Sequence, residues 1–256
     1  MKQLIAALAA GALLMAAPHQ PKKPLASRVI VVDPGHGGRD SGARAGNLFE
    51  SDLTLAIGKE VAAALRAQGA KVVMSRTNQA NLMSDAHGGN LQRLNLEARV
   101  ALAERTKADL FLSVHINRLP DYPSAHGAQV FLGETPTPEQ QRLAECLMQE
   151  LGPLTQSQRS IDGRRALYLM RHLKTTAALI EFGFLSNPRE LQNLTQPDYQ
   201  RQLGEAVARA VVNYYGSPLA HRRPLPPRQH AHPAAHLLAA PTRSGHSPRI
   251  YPSAWA

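Results

Sequence analysis

A chain of 256 residues with 43% apolar and 19% charged side chains has the make-up of a folded protein with a sizeable core, which excludes a wholly disordered chain. Most of its net charge of +10 sits at the two ends: residues 1–27 hold three lysines and no acid, residues 218–256 hold five arginines and no acid, and only +2 remains on residues 28–217. A nucleic-acid-binding domain would present its positive charge on a folded face, so no nucleic-acid partner is expected. The basic ends suit loose attraction to polyanions, cell-wall polymers and anionic lipid among them, or serve as solvated tails. The single cysteine, Cys146, excludes an internal disulfide and falls in a helical pattern that favours a buried, inert thiol.

In chain order, Lys2 followed by an uncharged apolar run over residues 4–17 reads as an export signal, shorter than a membrane-spanning helix needs. Ala16 and Ala17 suit cleavage but Met15 and Pro18 do not, so a cleaved signal and a retained N-terminal membrane anchor both fit. Either puts the remainder outside the cytoplasm, secreted or in the cell envelope. Residues 28–32 form a β-branched run ending at Asp33-Pro34-Gly35, a buried strand entering a turn. Residues 53–68 repeat apolar side chains at helical spacing and stop at Gly69. Residues 70–74 are strand-like, 76–92 are polar and read as a loop, and 94–107 are helical with Leu96, Val100 and Ala103 on one stripe. Residues 109–114 form a strand that delivers His115, and 128–132 form another. A helix over 137–151 starts with Pro138 in its first turn. Residues 177–180 form a buried strand ending at Glu181, and 198–215 a closing helix.

Alternating strands and helices predict a single α/β domain over residues 28–217: a twisted, mostly parallel or mixed sheet flanked by helices on both faces. Beyond it, eight prolines and five histidines in residues 218–256 read as a disordered basic tail. The tail histidines His230, His232 and His236 read as an adventitious cluster.

In open α/β sheets the working residues gather at the carboxyl ends of strands. Here those ends carry His36, His115 and Glu181, and Glu50 precedes the first helix. Two histidines and a carboxylate leaving one position open form the usual catalytic zinc site. A further carboxylate, off the metal, then has to move the proton of the attacking water. Each residue also has a plain structural role open to it: a hydrogen-bonded strand-end histidine, or a first-turn acid favoured by the helix dipole. Glu181 is the hardest to explain that way, because it follows four apolar residues and precedes Phe182-Gly183-Phe184, where an ionised carboxylate is costly. Pattern alone leaves both readings standing.

Four stretches decide between them. Val32-Asp33-Pro34-Gly35-His36-Gly37-Gly38, Glu50-Ser51-Asp52-Leu53-Thr54-Leu55, Ala108-Asp109-Leu110-Phe111-Leu112-Ser113-Val114-His115-Ile116-Asn117 and Ala178-Leu179-Ile180-Glu181-Phe182-Gly183-Phe184-Leu185-Ser186-Asn187-Pro188 together resemble the zinc-dependent N-acetylmuramoyl-L-alanine amidases of the amidase-3 type, over about residues 28–216. The resemblance implies hydrolysis of the amide between N-acetylmuramic acid and L-alanine in bacterial peptidoglycan. It implies Zn2+ as cofactor, His36, Glu50 and His115 as metal ligands, and Glu181 as the catalytic carboxylate. Ile161-Asp162-Gly163, Leu167-Tyr168-Leu169-Met170-Arg171 and Asn117-Arg118-Leu119-Pro120 resemble the spore-cortex subgroup. The short interval between His115 and Glu181 implies a site open to substrate or controlled by an activating protein partner. Asp33 and Asn117 stand beside the ligands, as supporting contacts or in local structural roles. A zinc carboxypeptidase clamping a terminal carboxylate through Arg99, Arg164, Arg165 or Arg171 is an alternative, as is a non-catalytic wall-binding protein.

Overall fold

The computed structural model describes residues 23–82, 91–164 and 166–216. The expected export segment, half of the 76–92 loop and the basic tail with its histidines therefore lie outside the described residues. No described helix is long and apolar enough to cross a membrane.

The chain runs β1 (Val29–Pro34), β2 (Arg44–Ala45), β3 (Leu48–Phe49), α1 (Glu50–Ala67), β4 (Lys71–Met74), α2 (Leu91–Thr106), β5 (Leu110–Asn117), β6 (Gln129–Leu132), α3 (Pro138–Thr155), β7 (Asp162–Gly163), α4 (Tyr168–His172), β8 (Thr176–Phe184), α5 (Pro188–Leu194) and α6 (Pro197–Gly216). Six strands form one sheet in the order β4-β1-β5-β8-β6-β7, while β2 and β3 make a small hairpin before α1. The neighbours from β4 to β8 are parallel, and β6 alone pairs antiparallel, with β8. The mixed sheet with helices on both faces is the expected architecture.

Strand side chains alternate between faces, and the alternation divides the core in two. Ile30, Val32, Leu112, Val114, Ile180 and Phe182 point to the face covered by α1, α3 and α6, against Val61, Leu65, Leu147 and Val207. Val31, Phe111, Ala177 and Leu179 point the other way, against Leu102 and Ala103 of α2 and Leu169 and Met170 of α4. Each fully buried aliphatic side chain contributes roughly 1.5–3 kcal/mol by leaving water.

Two close approaches fix α1. A Cβ added at Gly58 would lie 2.7 Å from Pro34 Cγ, so the helix lies directly on the end of β1. A Cβ at Gly204 of α6 would lie 2.6 Å from the Glu60 carbonyl carbon, so the two helices meet backbone to backbone.

Several expectations need correction. The last long strand does not end at Glu181: β8 continues to Phe184, because Asn117 and Phe184 pair beyond an irregularity after His115. Helix α1 begins at Glu50, three residues early, where the β2–β3 hairpin hands over to it. Helix α3 runs past Leu151 and through Pro153 to Thr155. Its last turn is held by the Thr155 hydroxyl, which donates to the Leu151 carbonyl and accepts from the Ala128 amide. On α2 the buried face is Asn95, Arg99, Leu102 and Ala103, with Leu96 and Val100 only partly buried. Arg99 is buried there against Asp33 of the sheet, while Asn95 donates back to the Leu91 carbonyl of its own helix.

Candidate active site

Register aligns three rows of side chains across the α2 face of the sheet. The first is Val31, Phe111 and Ala177, and the second Asp33, Ser113, Leu179 and Phe131. In the third, His115 pairs with Glu181, which also pairs with Gln129, and Gly35 donates its amide to the Val114 carbonyl at the same level. The face thus passes from apolar to polar to ionisable toward the carboxyl ends of the parallel strands. A Cβ at Gly35 would lie within 2.7 Å of three atoms of the His115 ring, so this position must be bare for the imidazole to lie across the sheet.

Just beyond Gly35 the chain turns with His36 in the left-handed region, at φ 61°. Such a conformation in a non-glycine residue costs on the order of 1–3 kcal/mol and persists only where its surroundings hold it. The holds are visible. The Arg99 guanidinium donates to the His36 carbonyl at 2.7 Å, the Gly37 amide bonds to the Asp40 carbonyl at 2.7 Å, and His36 Nδ1 lies 2.9 Å from Asp40 Oδ2. Asp40, accepting from Nδ1, turns Nε2 toward Glu50, where a cation would take the place of a proton.

Glu50, fully buried at the first position of α1, meets both histidines. Its Oε1 is 3.1 Å from His36 Nε2 and 3.1 Å from His115 Nδ1. The Ile116 amide donates to Oε1 at 3.1 Å and the Ala43 amide to Oε2 at 2.9 Å. The two imidazoles stand edge to face with centroids 4.9 Å apart. One ligand-type atom from each of His36, Glu50 and His115 lies within 4.8 Å of the others, the only such grouping of three among the described residues.

The charges fit a cation. Burial alone would lower the His36 pKa, but the Glu50 carboxylate and the Asp40 contact outweigh it and raise it to about 10. Burial would raise Glu50, yet the two histidines hold it below the usual carboxylate range. His115 is lowered, chiefly by burial. Burial and then the Glu50 charge push Glu181 well above the ordinary value. Of the buried side-chain atoms without a well-formed hydrogen bond among the described residues, three stand at this centre: His115 Nε2, Glu181 Oε2 and His36 Nε2, the last facing only the Glu50 oxygen at 3.1 Å. Buried polar atoms are nearly always satisfied, and a divalent cation would satisfy this nitrogen pair. The donor set of two imidazoles and one carboxylate matches that ion's preferences. A cavity of about 380 Å³ opens beside it, bordered by His36, His115, Asp40, Asn95 and Leu96.

All four residues singled out in the sequence lie in this region, His115 and Glu181 on adjacent strands. Asp33 lies one row below, accepting from Ser113 Oγ at 2.9 Å and paired with Arg99 at 3.1 Å. Asn117 caps its own turn, accepting from the Arg118 amide. Arg99 is consumed by Asp33 and the His36 carbonyl, so it is no carboxylate clamp; Arg165 lies outside the described residues. Sequence reasoning missed Asp40, whose four-residue spacing from His36 in a polar turn was the available signal. It also missed Arg76, which had none.

The sequence model of the N-acetylmuramoyl-L-alanine amidase family matches residues 30–213. The chain is 33% identical over 195 residues to a germination-specific N-acetylmuramoyl-L-alanine amidase of Bacillus subtilis, covering 75% of this chain and 81% of the relative. It is 31% identical over 198 residues to the N-acetylmuramoyl-L-alanine amidase LytC of the same organism, covering 77% of this chain and 37% of that longer protein. Among solved structures, the CwlD amidase of Clostridioides difficile, in complex with the GerS lipoprotein, superposes with a TM-score of 0.70 at 27% identity, covering 74% of this chain and 98% of that one. Enzymes of this family are metal-dependent. Sheet, donor set and sequence agree: the chain belongs to the N-acetylmuramoyl-L-alanine amidases and hydrolyses the bond joining the glycan to its stem peptide in peptidoglycan.

Proposed function

We propose that His36, Glu50 and His115 hold a zinc ion and that Glu181 is the proton carrier of the amidase reaction. The observation that carries this is the approach of three ligand-type atoms from distant parts of the chain to within 4.8 Å, in a buried site where two histidine nitrogens lack other partners. When bound, zinc lowers the pKa of a coordinated water to about 7 and polarises the amide carbonyl. Asp40 keeps the His36 tautomer that presents Nε2, and the Ile116 and Ala43 amides fix the Glu50 carboxylate. Glu181, one strand from His115, accepts a proton from the attacking water and delivers it to the departing L-alanine nitrogen. Burial raises its proton affinity, and a cation on the neighbouring ligands would pull that back toward the range in which the carboxyl can both take and release a proton.

The likeness to a germination-specific relative supports a role on spore-cortex peptidoglycan. The lipoprotein bound to the CwlD amidase supports control by a protein partner here as well. Residues 1–27 would export the chain or anchor it at the membrane, and residues 218–256 would follow the catalytic domain as a basic tail. The test is digestion of purified peptidoglycan with and without a chelator, read by mass spectrometry. Free stem peptides that vanish on chelation and return with zinc are expected. Undiminished cleavage by metal-stripped protein would refute the zinc assignment, and release of single amino acids would indicate the carboxypeptidase instead.

A further inference from the structure

We infer that Arg76 is the positioning residue of this centre: a buried guanidinium that locks the backbone leading to His36 against the first turn of α1, so that His36 and Glu50 meet. The inference rests on the reading that His36, Glu50 and His115 hold the metal.

Arg76 follows β4 at the edge of the sheet, and its side chain runs inward beneath the β1–α1 connection. It is 5% exposed. Nε donates to the Pro34 carbonyl at 3.0 Å and Nη1 to the Asn78 carbonyl at 3.1 Å. Nη2 donates to the Gly35 carbonyl at 2.9 Å, the Ser51 carbonyl at 2.7 Å and Thr54 Oγ1 at 3.0 Å. Two of these acceptors immediately precede His36, and two lie on α1 just after Glu50. One rigid, planar group therefore spans the two segments that supply the first two ligands. Thr54 completes the brace by donating its own hydroxyl to the Gly35 carbonyl at 2.9 Å.

The acceptors are carbonyl dipoles and a hydroxyl, which makes geometry the purpose of the contact. Burial, and then the neighbouring Arg99 charge, lower the Arg76 pKa only to about 10, so it stays cationic at neutral pH. The other side of the group is filled too: a Cβ at Gly37 would lie 2.9 Å from Arg76 Cδ and Nε. Lysine would keep the charge, but an ammonium on a flexible stem cannot replace a planar fork that serves five acceptors.

The experiment measures zinc dissociation constants by chelator competition for the wild type and for R76K, T54V and V61A. Thermal unfolding and the visible spectrum of the cobalt(II)-loaded proteins are recorded alongside. R76K should weaken zinc binding about 10- to 100-fold, as loss of groups that orient metal ligands typically does, and should alter the cobalt spectrum. T54V should weaken it by a smaller factor. V61A removes core methyl groups two turns along α1 from Thr54, away from the brace, and should lower the melting temperature while zinc affinity stays within twofold. An R76K affinity within twofold of wild type with an unchanged cobalt spectrum overturns the inference. So does a V61A loss of zinc matching that of R76K, because affinity would then merely follow stability. Should R76K not fold, T54V decides, and unchanged zinc affinity in folded T54V is the refuting result. A wild-type protein that binds no zinc would instead bring down the metal assignment, before any variant is compared.

Discussion

On the face covered by α1, α3 and α6, strands β1, β5 and β8 present Ile30, Val32, Leu112, Val114, Ile180 and Phe182, all buried against apolar helix stripes. One residue out of phase, the same strands present Val31, Asp33, Ser113, His115 and Glu181, and there the apolar cover from α2 and α4 reaches only the lower rows. The first face is satisfied by packing alone. The second holds buried polar groups that need one another, and some that need something else. The contrast teaches that a parallel sheet can devote one parity of its residues to stability and the other to chemistry, so that substitutions on the two faces should fail differently.

The largest separation is expected at Glu181. Glu181→Gln removes a carboxylate that burial already strains, so folding and metal content should be kept. Peptide release from peptidoglycan should fall about 10²- to 10⁴-fold, the usual contribution of a positioned acid–base group. Loss of zinc together with activity would mean that Glu181 is a ligand, and the proton-carrier role would fall. On the opposite face, Ile57→Ala, in a fully buried position of α1, should cost about 2–5 kcal/mol of stability in denaturant unfolding. Turnover per folded molecule should barely change, and a catalytic loss exceeding the loss of folded protein would blur the division of labour. Gly35→Ala sits between these cases. Its methyl group displaces the His115 ring, and zinc affinity should drop by about one to two orders of magnitude with only a moderate fall in melting temperature.

The smallest effect is a slope with pH. His36 binds its proton more tightly folded than unfolded, with a pKa near 10 against 6.5, so its contribution to metal-free stability is full below pH 6.5 and is lost as pH rises toward 10. Glu181, also raised, acts in the same direction from about its ordinary value of 4.5 upward. His115, which is lowered, penalises the folded state only below pH 6.5. Calorimetry of the chelated protein should therefore show the melting temperature declining between pH 6.5 and 10. The zinc-loaded protein should hold steadier, because the cation replaces the proton. A flat profile for the chelated protein would show that His36 is not ionised beside Glu50 and Asp40.

Much of this was open to reading in the chain itself. The short apolar, β-branched runs and the strand-end positions of His36 and His115 exposed both the sheet and the region where chemistry gathers. Glu181 was visible because a carboxylate in an apolar run demands a reason. Its position inside β8 was not visible, since the continued pairing depends on an irregularity beside His115. Helix α5 had a readable start in Asn187-Pro188, where the Asn187 side chain accepts from the Arg189 and Glu190 amides. The role of Arg76 could not be read at all: its acceptors are largely backbone oxygens of segments remote in sequence, and a carbonyl leaves no letter in the sequence.

The two bare contacts on α1 carry a consequence for where mutations act. The helix is pinched between Pro34 beneath Gly58 and α6 at Gly204, and Glu50 rides at its tip. A side chain at position 204 would press on the helix at Glu60, ten residues along from Glu50, much as a hand moves a lever behind its fulcrum. Selection for damaged enzymes would then recover hits on a remote helix crossing that no inspection of the catalytic cleft would nominate.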